Sequence, residues 1–275
     1  MAKSVYIVTG ATGGIGKAIV EELCDRLEVE TVILACRNVG KASLLAAGMK
    51  AVYPDKEILA MPLDLESFVS VKAFAEEVIV RRWTVKALIH NAGTMPSDVR
   101  VTDDGFESAT QTNFMSPMLL TELLADRLCQ GASVVFTTSM TRRIARFSPE
   151  WRSLSINRHN RFVTYGRSKK MLTAYALMLS ERLHEAGVRV NCSDPWIVDT
   201  GMITMGNRFV DWLSRILFRP YIYTPRQGAE SAIAALDTKS TARIFTLRHS
   251  SAIPLSYGSE DIRKLIGDAC RLVLH

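Results

Sequence analysis

The stretch Ser4-Val5-Tyr6-Ile7-Val8-Thr9-Gly10-Ala11-Thr12-Gly13-Gly14-Ile15-Gly16 decides the fold. Its first part, Ser4 to Val8, is an apolar run rich in β-branched residues and predicts a strand. Its second part sets Gly10, Gly14 and Gly16 in the spacing G-x-x-x-G-x-G. Beyond it, Ala18, Ile19, Leu23 and Leu27 recur at helical spacing over 17–27. Strand, glycine turn and helix in this order suit a dinucleotide pyrophosphate. Glycine lets the chain turn sharply and lets backbone N–H groups approach phosphate oxygens. The helix that follows aims its positive end at the same place. Thr9, Gly10, Thr12, Gly13, Gly14, Ile15 and Gly16 are the candidate phosphate-side residues. A glycine trio alone is a weak signal that also fits a tight strand–helix turn, so context has to decide.

The context is a repeated alternation. Strands are expected at 31–35, 58–62, 87–90, 133–138 and 189–192, with a last short one at 242–247. Helical patterns fill 39–52, 68–80, 105–128 (with Pro117 inside it) and 165–185. Strands alternating with helices imply a parallel sheet covered on both faces. The expected fold is α/β: a Rossmann-type doubly wound parallel sheet in a single domain, 1–275. Ligands of such sheets sit at the C-terminal ends of the strands. Each motif found here follows an expected strand or opens a helix.

Cofactor choice is usually made about 20 residues past the glycine turn, where an acidic residue would hold a ribose 2′-hydroxyl. This chain has Cys36-Arg37-Asn38 there. The guanidinium fork of Arg37 suits a 2′-phosphate, which favours NADP(H) and leaves NAD(H) as the alternative. Lys41 adds to the same positive field, and Arg37 as a solvated loop arginine is the competing reading. Asp64 ends the third strand and is placed to accept from an adenine amino group, with a backbone group of Leu65 beside it. An N-cap role for Asp64 is compatible with that.

The reacting centre is expected at Ser139, which follows the fifth strand, and at Tyr165 and Lys169, which share one helix face. A tyrosine with its usual pKa near 10 is a poor base near neutrality. An ammonium and a bound nicotinamide cation beside it would favour the phenolate. Tyr165 then exchanges a proton with a substrate oxygen while hydride moves at carbon, and Ser139 hydrogen-bonds that oxygen. Lys169 also holds the nicotinamide ribose, and Asn113 carries a water linking Lys169 to solvent. Hydride transfer at a carbonyl or alcohol is the expected chemistry.

Composition sets the remaining bounds. The 275 residues are 48% hydrophobic and 23% charged, enough for one large core and no sign of disorder. The five cysteines form no CxxC pair, so metal and redox-motif readings are weak and a reducing, cytoplasmic setting is expected. No signal-peptide pattern opens the chain, and no apolar run reaches the roughly 18 residues of a membrane span. The net charge is +6. Much of the excess lies in Arg142, Arg143, Arg146, Arg152, Arg158, Arg161 and Arg167, read as a basic substrate entrance or a solvated loop. No RNA-recognition motif accompanies the charge, so nucleic acid is not an expected partner.

Taken together, the glycine turn, Asn91-Ala92-Gly93, the strand-end Ser139 and Tyr165-Gly166-Arg167-Ser168-Lys169 resemble the short-chain dehydrogenase/reductase family, from Ser4 to about Thr200. The resemblance implies catalytic roles for Ser139, Tyr165 and Lys169, with Asn113 as fourth member. It implies that Asn91, Ala92 and Gly93 stabilise the central sheet beside the adenine ribose. Cys36-Arg37-Asn38, Lys41 and the long interval from Ser139 to Tyr165 resemble the NADP-preferring, retinol-dehydrogenase-like branch. The family usually has Pro-Gly after the sixth strand; here Pro195 precedes Trp196, which is expected to alter that loop and narrow the nicotinamide end. Val198 and Thr200 are the expected carboxamide contacts. The resemblance also places a substrate lid at 201–225, whose apolar residues between Met202 and Phe218 suit a lipophilic retinoid-, steroid- or acyl-like substrate. A membrane-surface helix peripheral to the cytoplasm, core packing and a contact between copies are the alternatives for that segment. Homodimers or homotetramers are implied by the family, with Tyr175, Leu179 and Leu183 on a helix-pair contact. The competing functional class is a nucleotide sensor of the same fold without turnover.

Overall fold

The computed structural model describes residues 3–147, 160–196, 198 and 223–274. The first half alternates strictly. β1 (Ser4–Thr9) is followed by α1 (Gly14–Cys24), β2 (Thr31–Cys36) by α2 (Val39–Val52), and β3 (Glu57–Pro62) by α3 (Phe68–Val80). β4 (Thr84–His90) leads to α4 (Ser108–Thr110), a π-helical turn (Gln111–Met115) and α5 (Ser116–Leu124). Then come β5 (Leu128–Thr137), α6 (Arg161–Arg182), β6 (Arg189–Ser193), α7 (Pro225–Asp237), β7 (Arg243–Phe245), β8 (Ser250–Ala252) and α8 (Glu260–Leu274).

The strands form one sheet in the order β3-β2-β1-β4-β5-β6-β7-β8. Every pair is parallel except β7 with β8. The strand order reverses between β1 and β4, so a crevice opens at their C-terminal ends. Two cores lie on opposite faces. One packs α1, α2 and α7 on the sheet through Ile19, Val20, Leu23, Ala232 and Leu236. The other packs α3, α5, α6 and α8 through Phe74, Met118, Leu172, Tyr175 and Ile266. With both faces covered, strands such as β2 are buried at every residue, which is why they read as continuous apolar runs.

Three expectations change. The long helix expected at 105–128 is broken: it begins at Ser108, widens into the π turn and ends before β5 starts at Leu128. Pro117 has no N–H to give to the Asn113 carbonyl four residues back, so a regular α-helix cannot run through this point. The sheet gains an antiparallel edge strand, β8, and two helices, α7 and α8, that the sequence reading left unassigned. Pro225, the expected end of the lid, opens α7, whose N-cap Thr224 exchanges hydrogen bonds with Gln227. Residues 201–222 of that lid, with Trp151, Arg152 and Arg158, lie outside the described residues. Tyr175 and Leu179, expected on a helix-pair contact, are buried in the same core as Ile266, Ala269 and Val273 of α8, and Leu183 packs partly buried against it. No helix among the described residues is long and apolar enough to cross a membrane.

Candidate active site

The glycine turn is built by close packing. Gly10 has φ +64°, and a Cβ there would meet the Ala92 Cα at 2.9 Å. A Cβ on Gly16 would run into the Gly10 carbonyl oxygen and stand 2.8 Å from the Asn91 amide. Asn91 donates to the carbonyls of Thr9 (3.1 Å) and Gly10 (3.3 Å), and the Ala92 N–H donates to Thr9 Oγ1 (3.0 Å). The end of β4 is thus tied to the turn after β1. Gly13 is the N-cap of α1, with no side-chain cap and no acidic residue in the first turn. That leaves uncapped N–H groups and an unopposed positive helix end, the arrangement an anion needs.

A cavity of about 440 Å³ opens beside this turn, and Thr9, Gly10, Thr12, Ala92 and Gly93 form part of its wall. Arg37, Asn38, Lys41, Asp64 and Leu65 form another part. These residues fit a dinucleotide: a phosphate-side turn at one end, an arginine and a lysine at the other. Asn38 also caps α2, its Oδ1 accepting from the Lys41 N–H at 2.9 Å. Asp64 does not cap α3; Ser67 does. Instead Asp64 Oδ1 accepts from the Glu66 N–H at 2.9 Å. Ile15 turns towards α7: a Cβ at Gly228 would meet Ile15 Cγ1 at 3.2 Å and Val198 Cγ2 at 2.8 Å. Among the wall residues beyond the expected set are Thr94, Arg100 and Glu66. Their placement depends on how the loops after β3 and β4 fold, which no local pattern reports.

The expected reacting groups come from separate elements. Ser139 follows β5 and caps a short turn, Met140–Arg143, accepting from the Thr141 N–H at 3.3 Å. Gly166 lets that turn lie on α6, because a Cβ there would press on the Thr141 carbonyl at 2.7 Å. The close approach sets the Ser139 hydroxyl beside the Tyr165 phenol. Lys169 is buried one turn further along, its Nζ donating to the Thr137 carbonyl at 2.8 Å and lying 5.7 Å from the Tyr165 ring centre. Asn113 is fully buried; its side chain accepts from the Thr94 N–H (2.8 Å) and donates to the Thr94 carbonyl (2.9 Å) and Ser168 Oγ (3.0 Å). That side chain is committed to Thr94 and Ser168, and Pro117 offers the Asn113 backbone carbonyl no α-helical donor.

The electrostatics of the protein alone favour the phenol. Burial pushes the Tyr165 phenol up to about 12; the Ser139 hydroxyl pulls it down and the Asp194 carboxylate adds to the rise. Burial pulls the Lys169 ammonium down to about 8, opposed by Cys192 and Asp194. In the protein alone the phenol therefore keeps its proton near neutrality, because loss of water outweighs the hydrogen bond.

The basic stretch is not one surface. Arg142 is buried and pairs with Asp194 at 2.5 Å, while also donating to the Ser139 carbonyl at 2.8 Å. Arg161 donates to the Met95 carbonyl at 3.2 Å. Arg143 and Arg146 are exposed, as an entrance would require. Trp196 stands in the turn after β6. Its φ is +64°, so the turn keeps a glycine-like backbone, and the indole is 44% exposed. Pro195 is buried, Val198 pairs with Tyr223 in an isolated bridge, and Thr200 lies outside the described residues. All five cysteines are free thiols.

Comparison with known proteins agrees with this geometry. The family model described as short chain dehydrogenase matches residues 4–209. Human retinol dehydrogenase 11 is 32% identical over 232 residues, which cover 83% of this chain and 71% of that protein. Mouse retinol dehydrogenase 13 is 29% identical over 97% of this chain and 83% of its own length. A short-chain dehydrogenase from Sphingobium yanoikuyae, solved with NADPH, superposes with a TM-score of 0.67 at 19% identity, over 99% of this chain and 94% of that one. NADPH-bound carbonyl reductase from chicken fatty liver gives 0.66 at 21% identity, over 91% and 99%. At these identities the two structures show a shared fold.

Proposed function

We propose that this chain, which belongs to the short-chain dehydrogenase family, uses NADP(H) to interconvert a lipophilic carbonyl compound and its alcohol. Membership makes it an oxidoreductase acting on alcohol or carbonyl groups. The observation that supports the mechanism is the nearness of Ser139, Tyr165 and Lys169, brought from the end of β5 and from α6 to one point where Lys169 is buried and the other two are partly buried. A nicotinamide, when bound, supplies or accepts the hydride. Tyr165, protonated at rest, hands its proton to the carbonyl oxygen in reduction and recovers it in oxidation. Ser139 hydrogen-bonds that oxygen, and the Lys169 ammonium holds the ribose hydroxyls. An intact proton-transfer set disfavours the alternative of a nucleotide sensor without turnover.

Arg37 in the cavity wall supports NADP(H) over NAD(H). Thr9, Gly10, Thr12 and the uncapped start of α1 would hold the pyrophosphate, and Asp64 and Leu65 the adenine end. The apolar content of 202–218 supports a lipophilic body, and exposed Arg143 and Arg146 support an acidic group on the substrate. Relatives named retinol dehydrogenase are consistent with a substrate of that size. The same apolar segment supports a peripheral membrane contact or a contact between copies, in a cytoplasmic setting.

The test follows NADPH consumption over a panel of long-chain and polycyclic aldehydes and ketones, with and without a carboxylate, against small polar carbonyls. Tyr165→Phe is expected to lose roughly 10²-fold or more in turnover while still binding NADPH. Normal turnover in that variant removes Tyr165 from the mechanism. Best activity on small hydrophilic carbonyls refutes the lipophilic substrate. Tight NADPH binding with no consumption across the panel favours the sensor.

A further inference from the structure

Glu66 is a carboxylate in a place that should reject one. It shares the cavity wall with Arg37 and Lys41, where a 2′-phosphate is read to arrive. A free carboxylate there would repel that phosphate and would hold Arg37 by ion pairing. Yet its oxygens are already taken. Arg100 Nη2 lies 2.6 Å from both Oε1 and Oε2, and Ser108 Oγ donates to Oε1 at 2.5 Å. Arg37 Nη1 reaches Oε2 only at 3.3 Å and is 68% exposed, whereas the Glu66 side chain is 20% exposed. The backbone fixes Glu66 as well, through its N–H on Asp64 Oδ1. The carboxylate is thus held tightly by Arg100 and loosely by Arg37.

We propose that Arg100 and Glu66 set the choice of cofactor: Arg100 occupies Glu66, and so leaves Arg37 available to the 2′-phosphate. The proposal deepens the NADP(H) reading and rests on it. The charge balance gives its sense. Arg37, Lys41 and Arg100 face Asp64 and Glu66 along this wall, so the wall is net positive only while Arg100 is present. Remove Arg100 and Glu66 turns to Arg37, the cation nearest to it. The wall then offers the phosphate a neutralised arginine and a carboxylate. NADH, with no 2′-phosphate, would not register the change. Both arginines are largely exposed, so the effect is several-fold rather than total.

The experiment titrates NADPH and NADH by cofactor fluorescence against wild type, Arg100→Met, Glu66→Gln and the double variant. Thermal unfolding and NADH affinity report whether each variant is folded. Arg100→Met is expected to lower the NADPH-to-NADH affinity ratio about two- to fivefold, with NADH affinity unchanged. Glu66→Gln keeps or raises the ratio, and adding it to Arg100→Met restores the wild-type value. A wild-type preference for NADPH that Arg100→Met leaves intact overturns the proposal alone. A lowered ratio that Glu66→Gln fails to rescue also overturns it, since Arg100 would then act on the phosphate directly. A wild-type ratio near one overturns the NADP(H) reading and the proposal together.

Discussion

Arg142 and Asp194 form a buried ion pair at 2.5 Å, each side chain 4% exposed, between the turn after β5 and the end of β6. The same guanidinium donates to the Ser139 carbonyl, and Asp194 Oδ1 accepts from the Trp196 N–H at 3.3 Å. One pair therefore ties the turn carrying Ser139 to the loop that follows β6. Taking two charges out of water is costly, and the pair survives because each satisfies the other. Arg142→Met strands the Asp194 carboxylate and should cost about 3–5 kcal/mol in urea unfolding. Arg142→Met with Asp194→Leu should recover most of it. A single variant as stable as wild type would show the pair to be solvated after all.

Arg37 is the test of cofactor selectivity. Arg37→Ala should weaken NADPH by about 1.5 kcal/mol, roughly tenfold, the low end for a charge-assisted contact because the side chain is largely exposed. NADH affinity should hardly move. If the variant loses both cofactors equally, Arg37 supports the loop and does not read the phosphate.

His90 gives a pH dependence. It is buried, stacks on Phe136 at 4.8 Å, and shares a 2.8 Å hydrogen bond with Thr121. Burial, aided by Lys169, pulls its pKa from 6.5 down to about 3. The unfolded chain takes up this proton near pH 6.5 and the folded chain refuses it until about pH 3. Between those values the unfolded state binds more protons, so stability falls as pH drops through the window. At pH 4 this one group should cost about 3 kcal/mol. In His90→Phe the stability-versus-pH curve between pH 6.5 and 4 should be shallower by up to one proton. An unchanged slope would mean that other groups drive acid unfolding.

Trp196 stores strain. A side chain at φ +64° costs roughly 1–2 kcal/mol that glycine does not pay. Trp196→Ala keeps that conformation and loses the indole, whereas Trp196→Gly relieves it at some cost in unfolded-state entropy. The glycine variant should be the more stable of the two by about 1 kcal/mol in thermal unfolding. The reverse order would show the positive φ to be unstrained.

What the sequence determined by itself is whatever local spacing carries. A β-branched run before glycines reports strand, turn and helix, because glycine's freedom at Gly10 and the apolar period of α1 are properties of neighbours along the chain. Helix bounds at 39–52 and 68–80 were legible for the same reason, and the regular period of Ile262, Ile266, Ala269 and Val273 would have disclosed α8. So were Tyr165 and Lys169, one helical turn apart. The tertiary structure alone decided the rest. Arg142 meets Asp194 across 52 positions, and Arg100 meets Glu66 across 34. Nothing in either local sequence distinguishes a buried, paired arginine from a solvated one. The protonated resting state of Tyr165 was likewise hidden, since a pKa follows from the water that packing removes, and packing belongs to the whole fold.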